Sequence, residues 1–89
     1  MSQIIVNPKD MTAFAADLDV LAGKMRIREQ QLNAGIKALG VNWKDDRYHR
    51  FSKSVTEASV QLQAFYNTAA RYTAFLRRKA GAAERYLGR

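Results

Sequence analysis

The chain has 89 residues, 47% of them hydrophobic and 26% charged, no Cys, and a formal net charge of +7. That length holds one domain with no room for a separate catalytic module, and at this size stability is commonly shared with another subunit, a metal or disulfides. The missing Cys excludes disulfides, thiolate metal sites and thiol catalysis, so any metal would rest on His49 and carboxylates.

The N-terminal apolar stretch, Ile4 to Val6, is three residues long and has no basic segment before it, which is unlike a signal peptide. No apolar run approaches the roughly 20 residues that span a bilayer. The expectation is a chain made in the cytoplasm, with any export proceeding without a cleaved leader.

The first element begins at a well-marked start. Asn7 offers a capping oxygen, Pro8 fits a first helical position that needs no donor, and Asp10 sets negative charge near the positive end of the helix dipole. Val6 and Met11 stand at the positions of a hydrophobic staple. Apolar residues then recur at three-four spacing through Met11, Phe14, Leu18, Leu21, Met25, Leu32 and Leu39, which predicts a helix over about 8–39. Ala15, Ala22 and Ile36 widen its stripe. Arg28 and Gly35 interrupt the ladder: the first is expected to snorkel, the second to let a neighbouring backbone approach closely.

Gly40 suits a left-handed helix end, and Asp45 or Asp46 suits the cap of the next helix, so 40–46 is read as a tight turn. The second helix, about 46–87, keeps a stricter ladder through Tyr48, Phe51, Val55, Leu62, Phe65, Ala69, Tyr72, Leu76 and Tyr86. The short connection makes the two helices antiparallel neighbours. The second is the longer and is expected to overhang the first at its C-terminal end. Charge gathers there: residues 71–89 carry a net +5, against +1 for residues 1–43.

The fold expected is therefore all-α, a single helical-hairpin domain over 1–89. Two helices side by side bury only their seam, and Phe65 beside Tyr66 must point in different directions. A second hairpin, from the same chain or a homologue, would close a four-helix bundle. The residues expected at that partner interface are Phe14, Leu18, Leu21, Met25, Leu62, Phe65, Tyr66 and Tyr72.

Trp43, the only Trp, falls in the turn, where an indole can plug the closed end and offer its N–H to a helix-end carbonyl. Trp43, Lys44 and Asp45, with Phe51 eight positions after the Trp, resemble the turn of the WXG family of early secreted antigens, small helical hairpins associated with type VII secretion. In that family the third position is Gly and an aromatic opens the second helix. Asp45 stands in place of the Gly, and an Asp also suits a turn. The resemblance extends over nearly the whole chain in length, helix layout and turn placement. It implies an adaptor or secreted protein that acts through protein–protein contacts in bacterial secretion or effector delivery, beside a secretion component or toxin.

No nucleophile–base constellation, phosphate-binding Gly loop or paired catalytic carboxylates stand out, and the expectation is a protein without enzymatic activity, cofactor or metal. Asp45 with His49, and Asp46 with Arg50, share a helix face but amount to a cap and a surface pair. A different reading comes from the cluster Arg71, Arg77, Arg78, Lys79 and Arg85, an anionic-partner patch. With Tyr residues interleaved, it could serve a small basic nucleic-acid-binding dimer or, more weakly, an anionic membrane surface.

Overall fold

A computed structural model describes residues 7–87 and shows two helices, α1 (Pro8–Leu39) and α2 (Asp46–Tyr86), packed antiparallel as a hairpin with no strand among the described residues. Asn7 caps α1 in extended conformation, its Oδ1 accepting from the Lys9 N–H at 3.0 Å and the Asp10 N–H at 3.2 Å, with Pro8 at the first helical position. Asp45 caps α2 the same way, accepting from the Tyr48 N–H at 3.0 Å. The staple expected between Val6 and Met11 lies outside the described residues.

The helices meet along a line of small and medium side chains. Ala15 and Ile36 of α1 and Val55, Tyr66, Ala69, Thr73 and Ala80 of α2 are buried, and Asn33 joins Ser59 across the seam by hydrogen bonds at 3.4 and 3.5 Å. This seam is shifted from the ladder of large apolar residues. Val55 and Ala69 are shared, but Ser52, Tyr66 and Thr73 face α1 where Phe51, Phe65 and Tyr72 were expected, and Ala15 replaces Phe14. An apolar stripe wider than a single ladder leaves its centre line open; close approach settles it, because small side chains fit between two backbones while large ones are displaced to the flank.

Three further expectations are corrected. Gly40 is right-handed (φ −66°, ψ −13°), so it does not serve as a left-handed helix end. Nothing lies within 4 Å of where a Cβ on Gly35 would sit, so no backbone of the hairpin approaches it. The extra length of α2 lies at the turn rather than at its basic end. The pairs Asn33–Ser59 and Arg26–Tyr66 have the same residue-number sum, which sets Pro8 level with Glu84 and leaves the first turns of α2 beside the connection. The buried Pro8 and Ala80 agree. The result is a slab of 63 × 26 × 13 Å, one helix thick.

Candidate interaction face and turn

The connection is held by a compact set of contacts. After Leu39 the backbone tightens, with the Trp43 N–H donating to the Leu39 carbonyl at 3.0 Å and the Val41 N–H to the Ala38 carbonyl at 3.3 Å. Tyr48, from the first turn of α2, reaches back and donates its hydroxyl proton to the Ile36 carbonyl at 2.9 Å. Its ring passes over Gly40: a Cβ there would meet the Tyr48 hydroxyl and lie 2.7 Å from Cζ. Gly40 is required for space, not for a left-handed backbone.

Trp43 is half-buried over this lock, edge-on to Tyr48 with centroids 5.5 Å apart and tilted to Phe51 at 6.5 Å. The indole and the aromatic eight positions later are therefore in contact. The Tyr48 N–H, and to a smaller degree the indole N–H of Trp43, hold the Asp45 carboxyl below its ordinary range by bonding to its charged form. In the sequence Tyr48 is one more rung of the ladder; its pairing with Gly40 joins residues on two helices, and no periodicity signals it.

The two broad faces of the slab differ. On one, Phe14, Leu18, Phe65, Tyr72 and Leu76 line a shallow apolar depression, and Met25, Leu32 and Leu62 line a second with Arg28 on its rim. Phe14 is 59% exposed, Leu21 51%, Phe65 36% and Tyr72 57%. Of the residues expected to meet a partner, Phe14, Leu18, Met25, Leu62, Phe65 and Tyr72 line these depressions, and Leu21 occupies the same helical line as Phe14.

Tyr66 is the exception. It is 2% exposed, closed within the seam and covered by the Arg26 guanidinium 4.8 Å from its ring centre, so it is withdrawn from any partner. The cleft on the opposite face is lined by Asp19, Gly23, Arg26, Ala70 and Thr73 beside it, a more polar surface. Tyr66 Oη and Thr73 Oγ1 are buried there without a hydrogen-bond partner. Burial, and then the nearby Glu29 carboxylate, raise the Tyr66 pKa.

Arg71, Arg77, Arg78, Lys79 and Arg85 are all exposed. Arg71 and Arg78 frame an open cleft with Tyr72, Ala74 and Phe75, Arg85 continues their line seven residues on, and Arg77 and Lys79 stand to either side of Arg78. Among the described residues no cluster of three or more His, Asp or Glu side chains could hold a metal, and no helix is long and apolar enough to cross a membrane. No family model, curated protein or solved structure matches this chain.

Proposed function

We propose that this chain is an adaptor of the WXG type, which packs the apolar face of its hairpin against another helical hairpin and serves bacterial secretion or effector delivery through that assembly. The observation that carries the reading is a run of exposed large apolar side chains along one face of the hairpin, beside a seam rich in alanine. Phe14, Leu21, Leu32, Leu39, Phe51, Phe65 and Tyr72 are each 36–59% exposed. With about half of the roughly 200 Å² of a large side chain open on each, they present on the order of 700 Å². That is close to the ~800 Å² per partner of a standard interface, and large for an apolar patch on a protein that works alone. Contact of Trp43 with Phe51 supports the resemblance at the turn.

The test is a variant with Leu21→Glu and Phe65→Glu, made in the source cell beside the natural chain. Both sites are exposed in the hairpin, so helicity should persist. The variant should fail to co-purify with a hairpin protein and should not reach the secreted fraction. A variant that still assembles and is still delivered would refute the reading.

The cleft framed by Arg71, Tyr72, Phe75 and Arg78 favours a second reading, in which cations and rings bind single-stranded nucleic acid. Arg77→Glu with Arg78→Glu and Lys79→Glu separates the two. A nucleic-acid binder would bind with steep salt dependence as the natural chain and lose affinity in the variant, whereas the adaptor should assemble in both, the natural chain of +7 doing so more tightly at high salt with a basic partner. Absence of any oligonucleotide binding at low salt would remove this second reading.

A further inference from the structure

On the polar face of the slab the seam repeats one pattern along its length. Asp19, Arg26 and Asn33 stand seven apart on one line of α1. The register that joins Asn33 to Ser59 sets Arg26 level with Tyr66 and Asp19 level with Thr73, so each level brings a polar side chain of α1 to a hydroxyl-bearing residue of α2. At two levels the side chains meet within the hairpin: Ser59 bonds to Asn33, and the Tyr66 ring carries the Arg26 guanidinium at 4.8 Å. At the third they do not. Thr73 is 6% exposed, its Oγ1 has no hydrogen-bond partner, and the carboxylate level with it does not take its proton. A buried hydroxyl left unbonded costs stability that an apolar side chain of the same shape would spare, which points to a partner from outside the hairpin.

The cleft beside Asp19 and Thr73 has a volume of about 300 Å³ and continues along the seam to Arg26 and Tyr66. Between its ends lie two level pairs of small residues, Ala22 with Ala70 and Gly23 with Ala69. Nothing lies within 4 Å of where a Cβ on Gly23 would sit, so the middle of the trough is unobstructed. One end thus presents a carboxylate beside a hydroxyl. The other presents a guanidinium, and stacking on a ring occupies the face of that group while leaving its N–H edge available. Residues seven apart on a helix stand roughly 10 Å apart along the axis.

We infer that this trough binds a linear aliphatic amino carboxylate. The ammonium donates to the Asp19 carboxylate and to Thr73 Oγ1, the methylenes lie over the small residues, and the carboxylate accepts from Arg26. A ligand with only a cation would gain nothing from Arg26 and be repelled by it, and one with only an anion would meet Asp19 in the same way; a chain carrying both charges matches both ends. The trough lies opposite the apolar face, so an occupied site leaves Phe14, Leu21 and Phe65 free, and the adaptor reading neither requires this site nor falls with it.

The probe is ε-aminocaproate, titrated into nitrogen-labelled full-length chain and followed by amide chemical shifts. Saturable shifts should centre on Gly23, Ala70 and Thr73, with a dissociation constant in the millimolar range. Hexylamine and hexanoate keep the chain and lack one charge each, and both should bind at least about tenfold more weakly. Asp19→Asn should abolish the advantage of ε-aminocaproate over hexanoate. Thr73→Val removes the hydroxyl at nearly constant shape, and Gly23→Leu fills the trough from a position whose Cβ meets nothing in the hairpin. Each should weaken ε-aminocaproate at least about tenfold while helicity by circular dichroism persists.

Equal binding of the three probes would overturn recognition by paired charges. Undiminished binding to folded Thr73→Val or Gly23→Leu would overturn the placement in this trough, and the absence of any saturable shift with ε-aminocaproate would overturn the site itself.

Discussion

Gly40→Ala is the most informative single change at the turn, because two accounts of that glycine predict different things. In the structure the residue is right-handed helical, so the backbone accepts Ala readily, with a gain of about 0.5–1 kcal/mol in helix propensity. The Cβ, however, lands on the Tyr48 hydroxyl and 2.7 Å from Cζ. The ring must leave. Leaving breaks the 2.9 Å bond to the Ile36 carbonyl, worth about 1 kcal/mol net, and uncovers part of Trp43, whose edge-on contact contributes about another 1 kcal/mol.

Lost burial of the ring itself adds about 1 kcal/mol, so the net cost of Gly40→Ala is about 2 kcal/mol. In a chain this small that is a fall of roughly 8–16 °C in Tm. Far-ultraviolet circular dichroism at fixed protein concentration measures it, with Trp43 fluorescence reporting the turn. The deciding experiment repeats the change in a Tyr48→Ala background. If Gly40 is there to admit the ring, Ala at 40 becomes neutral or stabilising once the ring is gone. A glycine kept for left-handed freedom would cost about 1–2 kcal/mol in both backgrounds, and that outcome would refute the steric role of Gly40.

Thr73 has a buried hydroxyl with no partner, so Thr73→Val, nearly the same shape, should raise stability by about 1 kcal/mol in denaturant melts; a loss would show that the hydroxyl is bonded in solution. The Asp45 carboxyl is held below the ordinary aspartate range by the Tyr48 N–H, so its stabilisation of α2 is present above the ordinary pKa and is lost as pH falls through the lowered one. The acid side of a Tm profile should therefore lose a component in Asp45→Asn; identical profiles for the two proteins below about pH 4 would show that the cap does not titrate with folding.

The helix ends were legible because capping is local chemistry: Asn7 before Pro8, and Asp45 three residues before the N–H it accepts from, are readable within a few positions. The antiparallel hairpin followed from two periodic segments and a short connection. What periodicity could not give was the centre line of each stripe. On α2, Phe65 and Tyr66 are neighbours of similar size, and which one enters the seam depends on what α1 presents opposite, here the Arg26 side chain over the ring. Tyr66 consequently left the interface expected from the sequence, while Phe65 and Tyr72 kept their place on the outer face. The Gly40–Tyr48 lock was hidden for a related reason, since a steric fit between two helices leaves no mark in either one alone.

The same displacement of large side chains bears on how stable the single hairpin can be. Among the described residues no large side chain is completely buried in the single hairpin, and the buried apolar set includes three alanines, which bring little area each. Ordering a residue costs on the order of 1–2 kcal/mol in backbone entropy, and a slab one helix thick has little apolar burial to set against that. Phe14, Leu21, Phe65 and Tyr72 are exposed in the single hairpin, and a second layer over them would supply more. If the proposed assembly includes a second copy of the chain, covering them adds to stability, and the melting midpoint should then depend on protomer concentration. A hundredfold dilution should lower the melting midpoint by several degrees while leaving low-temperature helicity near its starting value. For a hairpin stable by itself the midpoint would be the same at every dilution, and the exposed face would then have to be read as surface rather than interface.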